Sequence, residues 1–131
     1  MALILTADDD PAALEIMERI LERAGHQVIT VADGESALRQ IREHRPDLVL
    51  TDVDMPLING FLLCDEVRHD AHLSLTPVIL ATGVINPDDH RAVEVGASAV
   101  LVKPFAGKEL LEMVEDHLAG AGDPTAPLSP G

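Results

Sequence analysis

A single cysteine, Cys64, is all the thiol this chain carries. An internal disulfide is therefore excluded, and a reducing cytoplasm is the expected compartment. Cys64 lies in an apolar helical stretch, where a buried, inert thiol is expected. Basic residues are scarce too. Nine Lys and Arg stand against 23 Asp and Glu, a formal net charge of −14. Phosphate backbones require a basic face, so direct nucleic-acid binding is not expected. An anionic membrane surface is disfavoured for the same reason. No apolar run reaches the length of a membrane span. The opening residues, 1–5, have no basic stretch before them, so no signal peptide is expected.

What remains is a globular composition. The chain has 131 residues, 47% of them hydrophobic, which suits one domain with a full core. Its centre is the stretch from Pro46 to Pro56. The apolar run Leu48, Val49, Leu50 predicts a strand buried on both faces, as in a parallel sheet. That strand ends at Asp52, and Pro56 and Asn59-Gly60 then open a loop. Four more strands are predicted at 3–7, 27–32, 77–82 and 99–103. Between them lie helical patterns. Asp10-Pro11 starts the first as a cap with proline at the first helical position, and Gly25 ends it. Asp33-Gly34 leads into the second. The third covers about 61–68. Asn86-Pro87-Asp88-Asp89 repeats the cap-plus-proline start, and Gly96 stops that helix. Leu110, Leu111, Val114 and Leu118 mark the last. Strand and helix alternate five times, the pattern of an α/β parallel sheet with helices on both faces. Residues 120–131, rich in Gly, Pro and Ala, are expected to be a flexible tail or the start of a linker.

In an open parallel sheet, ligands bind beyond the carboxyl ends of the strands. Asp8-Asp9, Asp52, Thr82 and Lys103 all fall at such ends, so topology gathers them into one site. Lys103 is one of only two lysines in the chain. Three carboxylates brought together repel and raise one another's pKa. A divalent cation removes that cost, and all-oxygen ligands with open positions suit Mg²⁺, with Mn²⁺ as an alternative. Lys103 and Thr82 complete an anion site, the one by charge and the other by a hydrogen bond. Asp52, in the middle, is placed as a nucleophile toward phosphorus. The chemistry that results is phosphoryl transfer to an aspartate.

The chain resembles a response regulator receiver domain of two-component signalling, of the chemotaxis-receiver kind. The resemblance rests on Asp8-Asp9, on Asp52 with Met55-Pro56 and Gly60, on Thr82-Gly83, and on Lys103-Pro104-Phe105. It covers residues 1–119. It implies a flavodoxin-like, three-layer (βα)5 fold with strand order 2-1-3-4-5. It implies that Asp8, Asp9 and Asp52 bind Mg²⁺ together with the backbone carbonyl of Asp54. Asp52 would take phosphate from a sensor histidine kinase or phosphotransfer protein, with Thr82 and Lys103 contacting the phosphoryl group. Gly83, Val100 and Pro104 fall in the family's switch region. Beyond self-phosphorylation from a phosphodonor and slow self-dephosphorylation, no enzyme activity is implied. The downstream partner would be another protein or an output domain, since neither a basic recognition helix nor a second catalytic domain is legible. Homodimerisation through the face of helix four, strand five and helix five is a further expectation.

In two places the sequence departs from the family. The usual strand-five aromatic, three residues before the lysine, is Val100, and the only aromatics in the chain are Phe61 and Phe105. Asp54 adds a carboxylate near the nucleophile. Asp52-Val53-Asp54 also resembles the Asp-x-Asp motif of haloacid-dehalogenase-type phosphohydrolases, but there it follows the first strand and here the third. A receiver-like binding module that is never phosphorylated is the other alternative. It leaves the full acid, threonine and lysine set without a purpose. The six histidines are expected to be solvated surface residues.

Overall fold

The computed structural model describes residues 2–83 and 90–121. Its elements are β1 (Leu3–Ala7), α1 (Pro11–Arg23), β2 (Gln27–Val31), α2 (Gly34–His44), β3 (Leu48–Asp52), α3 (Gly60–His69), β4 (Val78–Thr82), α4 (Arg91–Glu94), β5 (Ala99–Val102) and α5 (Gly107–Ala121). All strand pairs are parallel, in the order β2-β1-β3-β4-β5. This is the expected flavodoxin-like arrangement, with its topological switch between β1 and β3. Every residue of β3 is buried, as its unbroken apolar run requires.

Side chains alternate across the strands and divide the core in two. Leu5, Val49, Val78 and Leu80 pack with Ala37 and Ile41 of α2 and with Leu63 and Val67 of α3. Ile4, Leu48, Leu50, Ile79 and Leu101 pack on the opposite face with Met17 and Leu21 of α1 and Leu110 and Val114 of α5. Fully burying one such side chain is worth roughly 1.5–3 kcal/mol. Cys64 is a free, buried thiol in the first layer, as expected, and burial pushes its pKa up.

Helix starts carry the side chains their geometry calls for. Asp10 accepts from the Ala12 N–H at 3.0 Å, Asp33 from Ser36 N–H at 2.7 Å, and Asn59 from Leu62 N–H at 2.9 Å. The start read at 86–89 lies outside the described residues, as do residues 122–131 of the expected tail. α4 follows His90, which makes no side-chain cap bond, and it contributes no buried residue. At the other end of the chain, α5 runs through Ala121, so helix takes in the first two residues assigned to the tail.

One long-range device was not legible in the pattern. Arg68 of α3 reaches across two connections. Its Nε donates to Gly96 O at 2.8 Å, its Nη1 to Thr76 O at 2.6 Å and Ser74 O at 3.3 Å, and its Nη2 to Ser98 Oγ at 3.2 Å. Ser98 Oγ in turn accepts from the Val78 N–H at 3.0 Å. Arg68→Met should therefore lower stability by about 2 kcal/mol, since charged hydrogen bonds are lost and carbonyls are left without a donor. Urea unfolding checks this. The loss should be nearly independent of salt, because the acceptors are carbonyls and a hydroxyl and not carboxylates.

The histidine expectation is corrected at one position. His26 is buried, not solvated. Its Nδ1 accepts from the Ala2 N–H at 3.2 Å, and its Nε2 lies 2.7 Å from Glu115 Oε1. That pairing sets a neutral tautomer with the proton on Nε2. An isolated polar residue before a strand gives no sign of partners just ahead of β1 and on α5.

Candidate functional site

Asp8 directly follows β1, and Asp52 ends β3. These strands are neighbours, with Ala7 opposite Thr51, so the two acids occupy successive positions on one edge of the sheet. Asp8 is 1% exposed, and both of its oxygens are engaged. Oδ1 accepts from the Asp10 N–H at 2.9 Å, and Oδ2 accepts from Lys103 Nζ at 2.7 Å. The ammonium also lies 3.5 Å from Asp52 Oδ1. Lys103 is set on the same edge by its own N–H, which donates to Thr82 O at 2.8 Å. Carboxylate oxygens of Asp8, Asp9 and Asp52 lie within 4.8 Å of one another.

The structure thus brings together Asp8, Asp9, Asp52 and Lys103 by side chain, and Thr82 by backbone. Asp54 is exposed, two residues beyond the end of β3. Gly83 is exposed, and among the described residues nothing stands within 4 Å of a Cβ placed there. Pro104 follows Lys103 through a cis peptide. Val100 and Val102 are opposite Leu80 and Thr82 on β4 and remain 37% and 42% exposed.

The loop after Asp52 is held more tightly than the sequence reveals. The Val53 N–H donates to Ala81 O at 3.1 Å, and the Gly60 N–H donates to Val53 O at 2.9 Å. The Thr51 hydroxyl donates to Asp52 O at 3.0 Å. A Cβ on Gly60 would stand 2.5 Å from Asp52 O and 2.9 Å from Val53 Cα. Gly34, at the start of α2, is pressed in the same way against the Ile58 carbonyl. Between them Leu57 adopts φ 69°, a left-handed conformation that a branched side chain rarely takes. The Asn59-Gly60 dipeptide was readable as a break, but its role as a cap plus a close approach was not.

Charge is unbalanced here. Three carboxylates face one ammonium. For Lys103, desolvation works against the charge, but the hydrogen bond to Asp8 and the field of Asp52 outweigh it and hold the ammonium above its usual pKa. For Asp52, burial pushes the carboxyl above the ordinary range and Asp8 adds repulsion, with Lys103 acting in the opposite sense. A carboxyl raised in the folded state binds protons more readily there than in the unfolded chain. Its contribution is thus favourable at low pH and is lost as pH rises through the folded pKa. In metal-free buffer Asp52→Asn should be more stable than wild type at neutral pH. The difference should shrink as pH falls toward 4, which thermal unfolding across pH would show.

Acids and a lysine gathered on the carboxyl edge of a five-stranded doubly wound sheet define a class of small α/β signalling domains. The chain belongs to the response regulator receiver domain family, whose model matches residues 4–115. It is 36% identical over 123 residues to a probable transcriptional regulator ycf27 of Cyanophora paradoxa, covering 93% of this chain and 50% of that one. The chain spans about half the length, or somewhat less, of the curated relatives it matches first. Its fold matches the chemotaxis response regulator CheY4 of Vibrio cholerae with TM-score 0.85 and 33% identity, covering 89% and 98% of the two chains. It also matches the receiver domain of the sensor histidine kinase PA1611 of Pseudomonas aeruginosa PAO1, with TM-score 0.84 and 28% identity, over 90% and 98%. That structure has a magnesium ion coordinated in the active site cleft. The chain is therefore a receiver module of two-component phosphorelay signalling, and the phosphohydrolase and non-phosphorylated readings are not favoured. Among the described residues, no helix is long and apolar enough to cross a membrane.

Proposed function

We propose that Asp52 is the phosphoacceptor of this receiver. The observation that carries the reading is Lys103 Nζ, placed 2.7 Å from Asp8 and 3.5 Å from Asp52 at the edge where the three carboxylates meet. An Asp52 oxygen forms the bond to phosphorus, and the bond from phosphorus to the donor's nitrogen or oxygen breaks. Lys103 neutralises a phosphoryl oxygen, and the Thr82 hydroxyl donates to another. Asp8, Asp9, Asp52 and the Asp54 carbonyl would hold Mg²⁺, and the all-oxygen donor set fits that ion. When bound, it supplies positive charge to the phosphoryl oxygens. The receiver would run to the end of α5 at Ala121, with the residues after it a tail or linker. Its donor is a sensor histidine kinase or phosphotransfer protein. Its output is a protein or an attached domain that reads the α4, β5 and α5 face, where Val93, Val100 and Val102 are exposed.

Metal binding to the folded state alone raises stability by mass action, by roughly 2.7 kcal/mol at a hundredfold excess over Kd. Mg²⁺ should raise the melting temperature of wild type, and Asp9→Ala should blunt that gain. Equal gains at matched free Mg²⁺ would count against the site.

A further inference from the structure

We infer that Asn59 is a self-modification site: its amide is primed to cyclise onto the Gly60 nitrogen, the closed turn between β3 and α3 holds the reaction off, and one of its products disables the phosphoacceptor edge. The last clause rests on the reading of Asp52 as phosphoacceptor; the site itself does not. An asparagine before glycine is the least hindered toward attack by the next backbone nitrogen, because glycine has no Cβ to stand in the way. Gly60 N bonds to Asn59 Cγ, and the side-chain nitrogen leaves as ammonia with the proton that Gly60 N gives up. Water then opens the five-membered imide. Cleavage of the bond from nitrogen to Cγ gives aspartate and a normal chain. Cleavage of the bond from nitrogen to the main-chain carbonyl carbon gives isoaspartate, and the chain then runs through Cβ and Cγ.

In the folded chain three hydrogen bonds oppose ring closure. The Gly60 N–H donates to Val53 O at 2.9 Å, so the proton that must leave is held. Asn59 Oδ1 accepts from the Leu62 N–H at 2.9 Å, which keeps the amide over the start of α3. Asn59 O accepts from the Leu63 N–H at 2.9 Å. Closing the ring turns the Asn59 Cα–C bond away from its extended ψ of 172° and pulls that carbonyl off the helix. The reaction therefore waits for the turn to open. Leu57, in the same turn, is 78% exposed and sits at φ 69°, so strain favours opening and little packing resists it.

The two products act differently on the edge. Aspartate caps a helix as well as asparagine does and suits the helix dipole. Isoaspartate adds a main-chain carbon just ahead of Gly60, where a single Cβ would already stand 2.5 Å from Asp52 O. The added length drives the Gly60 amide off Val53 O or shifts the end of β3, and Asp52 with it.

The test is incubation at mildly alkaline pH, folded and in denaturing urea, followed by intact mass and peptide mapping. The chain has two asparagines, and Asn86 precedes Pro87, which has no N–H with which to cyclise. The folded chain should convert Asn59 at least roughly thirtyfold more slowly than the unfolded one, the scale of opening three hydrogen bonds together. Both acids should appear at position 59. Asn59→Gln, whose longer side chain closes its ring far more slowly, should stay unconverted on the same time scale. Asn59→Asp should keep wild-type stability in urea unfolding. No conversion in the unfolded chain would overturn the site, and equal rates in the two states would overturn the gate. Protein aged in urea and returned to buffer should lose acetyl phosphate labelling in proportion to its isoaspartate, with a brief urea exposure as control. Full labelling of a largely isoaspartyl sample would overturn the link to Asp52. Fresh protein that takes no label would overturn the Asp52 reading instead, and the mass measurement still decides the site.

Discussion

Wild-type protein incubated with Mg²⁺ and acetyl phosphate should gain one phosphoryl group, and Asp52→Asn should gain none. Intact-mass measurement over the reaction reads both. The substitution keeps the side chain's shape while removing the anionic oxygen that attacks phosphorus. Neighbouring acids should not take over. Asp8 is buried, with one oxygen on the Asp10 amide and the other on Lys103. Asp9 is exposed and stands outside that clamp. The expected loss is total on the time scale that saturates wild type. Labelling of Asp52→Asn to the wild-type level would show that the geometry has been assigned to the wrong carboxylate. The same experiment separates a receiver from a phosphatase. A receiver consumes donor slowly, at the rate its own aspartyl phosphate hydrolyses.

Gly60→Ala should lower stability by about 3 kcal/mol, at the upper end of what overpacking a tight site costs. The added methyl would meet Asp52 O at 2.5 Å and Val53 Cα at 2.9 Å, both backbone atoms that cannot rotate away. Either the Gly60 amide leaves Val53 O or the end of β3 shifts. The second outcome moves Asp52 relative to Lys103. Urea unfolding reads the stability loss. A fall in phosphorylation rate, measured where the variant is still folded, reads the shift. Gly83→Ala is the matched control for stability, since no described residue stands within 4 Å of a methyl there. A Gly60→Ala protein as stable as wild type would mean that the loop has slack the structure does not show.

Much of this architecture can be read from short-range pattern. Buried parallel strands leave apolar runs such as 48–50, bounded by Asp and Gly, and the five appear within a residue or so of their observed ends. The acids and Lys103 were placed by topology alone, because the carboxyl ends of a doubly wound sheet must lie together. What escaped are contacts between residues far apart in the chain whose identities carry no local signal. Arg68 reads as an ordinary charged residue near the end of an amphipathic helix, yet it holds four acceptors. His26 reads as a surface residue beside a turn, yet it joins Ala2 to Glu115. Gly34 and Gly60 read as turn formers. Their close approaches to Ile58 and Asp52 exist only once α2, β3 and α3 are packed.

Arg68 also decides which point of this region stays put. It fixes Gly96 and Ser98 to the Ser74 and Thr76 carbonyls in the connection between α3 and β4. Gly96, whose φ of 77° sets a sharp corner in the chain, is thereby a pinned corner. A docking partner that touches the turn after α4 meets a fixed reference point, and loosening Arg68 would free that point without touching the carboxylate cluster.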